Sequence, residues 1–142
     1  MLRTCFTPLS ICTLLLLAAC GNQAPTFDTL EEEIDFLIDE NRYSDALSRL
    51  SVEDRNKPET RRQLEKTHLN YGLYNMQTFD EGEMRTRMNE ALRQFTEVLR
   101  INPENEMARA QIDQILGVYS TIPNREPEED VVEGLREVGI KI

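Results

Sequence analysis

From residue 30 to residue 138, apolar side chains recur at three- and four-residue intervals, the period of a helix with one buried face. Leu30, Ile34, Leu37 and Ile38 form the first stripe, opened by Thr29 and Glu32 at the spacing of a capping box. A turn at 40–42 leads into a second stripe with Ala46, Leu47 and Leu50. Pro58 suits the first turn of a third helix, which runs to residue 77 and carries Leu64, Leu69, Tyr71, Leu73 and Met76. The fourth is the most regular, with Met84, Met88, Ala91, Leu92, Phe95, Val98 and Leu99 on one side. Pro103 is expected to start a fifth helix, which buries Ala108, Ile112, Ile115, Leu116 and Tyr119 and stops at Pro123. Pro127 opens a short sixth that buries Val131, Leu135 and Val138 and ends at Gly139. No sustained alternation and no Asn-Gly or Asp-Gly hairpin turn interrupts this order. The pattern predicts an all-α fold of about six helices.

The chain before residue 20 follows a different rule. Arg3 is its only charge, and an uncharged stretch at 4–19 has its apolar core at 9–17. That core is shorter than the ~20 residues a membrane span takes, and it has the length of a secretory h-region. Leu17-Ala18-Ala19-Cys20, followed by Gly21, resembles the lipobox of bacterial lipoproteins. The resemblance implies cleavage before Cys20 and acylation of Cys20. An anchor of two or more acyl chains holds a protein firmly, where one chain binds marginally. The domain reading is a lipoprotein signal peptide at 1–19, an acylated cysteine and tether at 20–27, and a helical domain at 28–142. The seven tether residues after Cys20 reach about 25 Å at full extension, so the domain is expected close to the lipid surface. In enterobacterial lipoproteins, glycine after the cysteine is compatible with export to the outer membrane, on its periplasmic side. A Gram-positive source would place the protein on the outer face of the cell membrane. Cys5 and Cys12 leave with the leader, so the chain retains neither a free thiol nor a disulfide.

The formal net charge is −10, and loss of Arg3 makes the mature chain one unit more acidic. Nucleic-acid binding through a general phosphate attraction is therefore not expected. Anionic headgroups would repel the domain, which leaves membrane contact to the lipid.

Two stretches of the helical part look alike: ENRYSDALSRLSVEDRNKP at 40–58 and MRTRMNEALRQFTEVLRINP at 84–103. In each, an alanine precedes a proline by the same interval, Ala46 to Pro58 and Ala91 to Pro103, and a large apolar residue, Leu50 or Phe95, follows the alanine by four. This resembles the second half of a tetratricopeptide repeat (TPR). Arg42-Tyr43-Ser44-Asp45-Ala46 is similar to the family's turn into its second helix. Leu69-Asn70-Tyr71-Gly72 is similar to its first helix, with Gly72 at the close approach. The spacing departs from the family around residues 80–87, where about two extra turns lengthen the hairpin. The resemblance implies a short α-solenoid of stacked helical hairpins, with the last helix capping the open end. A plain six-helix bundle is the alternative.

No constellation points to catalysis. His68 is the only histidine, so no histidine pair exists for a zinc site, and a lone histidine is more often a packing or surface residue. The acids at 31–33 and 128–130 lack the spacing and glycine of a calcium loop and suit helix N-termini. The sequence reads as a non-enzyme with no cofactor and no metal.

What the TPR resemblance implies is a concave groove lined by the first helix of each hairpin. Carried over by register, it places there Glu31, Asp35 and Asp39, then Lys66, Leu69, Leu73 and Met76, then Met107, Ala110 and Gln114. Such a groove is acidic at one end and apolar in its middle, and suits an apolar segment of another envelope protein flanked by lysine or arginine. The alternative is that Leu69, Leu73 and Met76 are core and the acids are a solvated face. The expected function is an envelope adaptor anchored through Cys20. The alternatives are a structural, self-associating lipoprotein and an accessory subunit of an envelope assembly or transport complex. The oligomeric state stays open.

Overall fold

The computed structural model describes residues 25–78, 80–123 and 125–142. The leader, Cys20 and the start of the tether lie outside the described residues. Those described form six α-helices and no strand: α1 (Leu30–Asp39), α2 (Tyr43–Ser51), α3 (Pro58–Gln77), α4 (Met84–Ile101), α5 (Glu106–Thr121) and α6 (Glu129–Glu137). The fold is all-α, built from helical hairpins.

Helix ends follow local chemistry. The Thr29 hydroxyl accepts the Glu32 N–H at 3.2 Å, and the Glu32 carboxylate accepts the Asp28 N–H at 3.0 Å. Asn41 closes α1 with φ +57°, a left-handed position that asparagine tolerates. There the Arg42 N–H reaches the Leu37 carbonyl and the Asn41 N–H the Ile38 carbonyl, a Schellman ending. Gly139, with φ +83°, ends α6 through the same pair of bonds, to Leu135 and Arg136. Pro58 occupies the first turn of α3. Pro103 does not start α5. The Asn105 side chain accepts the Ala108 N–H at 2.9 Å, so the helix begins at Glu106 and Pro103 stays in the preceding turn.

Two apolar clusters hold the helices. Ile34, Leu37, Ile38, Tyr43, Ala46, Leu50 and Leu64 fill the space between α1, α2 and α3. Met88, Leu92, Phe95, Leu99, Ile112, Ile115, Val131 and Leu135 belong to the second, between α4, α5 and α6. α3 divides them: Leu64 and the half-buried Tyr71 and Tyr74 face the first, and Leu69, Leu73 and Met76 pack against the second. Its most buried positions include polar Thr60, Gln63, Thr67 and Asn75. Ala46 and Ala91, the matched alanines, are both fully buried, as are Leu50 and Phe95.

α3 lies against both α1 and α2, and packs most extensively on α4. At 20 and 18 residues, α3 and α4 are about twice as long as α1 and α2, at 10 and 9. α5 and α6 each pack on α4. α6 runs parallel to α4, tied in order by Asn89 to Glu128, Arg93 to Glu128 and Asp130, and Arg100 to Glu137. The last helix thus flanks α4 rather than closing off the end of α5. Its contacts explain this, because Val131 and Leu135 share the α4 cluster while the polar bonds fix their register. Among the described residues no helix is long and apolar enough to cross a membrane.

Candidate partner-binding surface

The ten groove residues fall on α1, α3 and α5, and the structure treats the three sets differently. On α1, Glu31 and Asp39 are exposed. Asp35 accepts a bond from the Lys66 ammonium at 2.5 Å, an ion pair that ties α1 to α3. Both partners are about 40% exposed, so the pair contributes little to stability. Its larger effect is on the field, because one acid and the one base of the groove neutralise each other.

On α3, Leu69, Leu73 and Met76 are half-buried and pack against the α4–α5 cluster. They form the seam beneath the surface rather than an open floor. Charge placed there would disturb packing and binding together.

On α5, Met107, Ala110 and Gln114 are all exposed. At 100° per residue they share one side of the helix with Gly117 and Val118. Met107 is 52% exposed and Val118 39%, two of the four large apolar side chains that stand this far into solvent among the described residues. No charged residue interrupts the strip; Glu106 and Asp113 lie along one edge. In a chain with 30% charged residues, an uncharged exposed face running the length of a helix is the departure that marks this surface. Val118 and Gly117 were not among the residues carried over by register. The outer face of the fifth helix, drawn on a wheel, contains the signal that would have found them.

A second feature at the surface is aromatic. The Tyr43 and Tyr71 rings stack with centroids 4.9 Å apart, Tyr74 tilts against Tyr43 at 5.3 Å, and Arg87 sits over Tyr74. Together they line a recess of about 180 Å³ beside the α1–α2 turn. Tyr43 is buried and donates to Asn41 at 3.3 Å, so the cluster closes the end of the first apolar core.

His68 sits between α3 and α4, with Nδ1 2.7 Å from the Gln94 side-chain oxygen. Burial holds its pKa below the ordinary value, against the opposing bond to Gln94 and the nearby Glu97. Among the described residues no three His, Cys, Asp or Glu side chains converge as a metal site.

No protein-family model matches the chain, and neither does any curated protein or solved structure.

Proposed function

We propose that the protein is a bacterial lipoprotein held at the envelope through an acylated Cys20, whose TPR-like helical domain works as a protein–protein adaptor without catalysis. The reading places it on the periplasmic side of the outer membrane. The observation that carries the adaptor role is the uncharged strip of Met107, Ala110, Gln114 and Val118 on α5, in an otherwise strongly charged chain. Such a strip suits the apolar side of a partner helix or extended segment. The exposed Glu31 and Asp39 on α1 favour basic residues flanking that segment. The lipobox-like LAAC at 17–20 supports the anchor, and the buried Ala46 and Ala91 in matched sequence frames support the repeat-like packing.

The deciding experiment places a photoreactive benzophenone side chain at Gln114 of the full chain in cells. An adduct with one envelope protein, lost when Met107→Glu and Val118→Glu are introduced, supports the adaptor. Both positions are exposed, so the variant should keep its helicity, checked by far-UV circular dichroism. Adducts unaffected by the two charges would remove the strip from the mechanism. Metabolic acyl labelling that persists in Cys20→Ser would remove the anchor.

A further inference from the structure

α5 and α6 both lie on α4 yet barely approach each other. Between them opens a cleft of about 640 Å³. Leu116 and Tyr119 of α5, Ile122 after it and Val132 of α6 supply its apolar lining. Arg125, Arg136 and Lys141 also line it, against a single acid, Glu126. None of these three cations forms an ion pair with another described residue. Tyr119 belongs to this lining while its hydroxyl is buried. An apolar cleft edged by free cations, on a chain of net charge −10, asks for a ligand that is apolar and acidic.

The opposite end of the helix order has that character. Glu32, Phe36 and Asp39 lie on one side of α1 at i, i+4 and i+7, away from buried Ile34 and Leu37. Glu32 and Asp39 are exposed, and Phe36 is half-buried beside Phe27, with ring centroids 5.2 Å apart. The α5–α6 cleft lies between two helices that each pack on α4, and the described residues leave it uncovered.

We propose that the α5–α6 cleft receives α1 of a second copy of this chain, with Phe36 on the apolar lining and Glu32 and Asp39 against Arg125, Arg136 and Lys141. The two surfaces differ, so the contact is head-to-tail, and repeated addition extends a row of copies unless the geometry closes it. The cleft lies on a different side of α5 from Met107, Gln114 and Val118, so it is separate from the adaptor strip, while Asp39 is shared by the two readings.

The test uses the full chain, in cells, with a benzophenone side chain in place of Phe36. Irradiation should give an adduct of two copies, with the crosslink mapped by mass spectrometry to residues 116–142 of the second. Arg136→Glu with Lys141→Glu should abolish it. Co-expressing that variant with a photoreactive chain carrying Asp39→Lys should restore part of it. All three substituted residues are exposed, and Arg136→Ala, which should weaken the adduct, repeats the test without charge reversal. Adducts with other proteins alone, no adduct, or an adduct indifferent to these charges would overturn the proposal.

Discussion

The backbone of Gly72 on α3 lies directly against the Phe95 ring on α4: a Cβ added at Gly72 would stand 2.5 Å from Phe95 Cε1 and 2.8 Å from Cδ1. Phe95 is fully buried, so its ring has no open space to move into. Gly72→Ala should therefore destabilise the fold by about 1–3 kcal/mol, the usual cost of overpacking. Helix propensity pulls the other way, by up to about 1 kcal/mol. Phe95→Leu in the Gly72→Ala background should recover part of the loss. Urea unfolding of the four chains closes the double-mutant cycle, and additive effects would contradict the contact.

Gln63 presents the reverse case. It is fully buried, and neither its amide nitrogen nor its oxygen has a hydrogen-bond partner among the described residues. An unpaired buried amide costs about 1–3 kcal/mol, while an apolar replacement of similar length keeps the packing. Gln63→Met should raise stability by about 1–2 kcal/mol on that scale. Asn75, also buried on α3, should behave oppositely. Its side chain donates to the Tyr71 carbonyl at 2.9 Å and accepts from Arg87 at 3.1 Å. Asn75→Leu removes both bonds and should lower the thermal midpoint, which calorimetry on the two variants would show.

The polar belt on α3 also marks where the sequence stopped being legible. Six helices, their faces and most of their ends follow from periodicity, capping residues and proline, because those effects are local. Pro103 misled because Asn105, two residues on, is the better cap, and its bond to the Ala108 N–H decides the boundary. The burial of Gln63, Thr67 and Asn75 was not readable, because it results from α3 lying between two clusters rather than facing one. The same position makes Leu69, Leu73 and Met76 half-buried, between the core and groove readings. The exposure of Met107, Ala110 and Gln114 on α5 follows from register, and a helical wheel extends their face to Gly117 and Val118. The packing of α6 along α4 was not legible. The α5–α6 cleft arises from that same placement, which no residue of either helix announces alone.

His68 should make stability depend on pH. Burial lowers its pKa in the folded state from the ordinary 6.5, with Arg55 lowering it further and the Gln94 bond and Glu97 opposing. The unfolded chain then binds a proton that the folded chain does not, so stability rises with pH across that interval. The contribution of neutral His68 is fully present above 6.5 and fades as the pH falls through the folded value. His68→Gln should flatten this slope. Carboxylates titrate in both chains, so the quantity to measure is the difference in unfolding free energy between them at pH 7.5 and pH 5. A difference independent of pH would contradict the shift.

The attachment of α6 to α4 depends more on Asn89 than on the ion pairs around it. Asn89 is fully buried, accepts the Glu128 N–H at 2.9 Å and donates to the Arg85 carbonyl at 3.0 Å. Arg93 reaches Glu128 and Asp130, but these side chains are 36%, 43% and 63% exposed, where water screens the attraction. Asn89→Ala leaves a backbone donor at the start of α6 without its partner and should cost about 1–3 kcal/mol. Arg93→Ala should cost less than about 1 kcal/mol. Hydrogen exchange localises the effect. Amides at 128–138 should exchange faster in Asn89→Ala, while those of α1 and α2 stay protected, because α6 packs chiefly on α4. Equal acceleration along the whole chain would show that α6 holds the fold globally. Greater acceleration in Arg93→Ala than in Asn89→Ala would reverse the order of the two contacts.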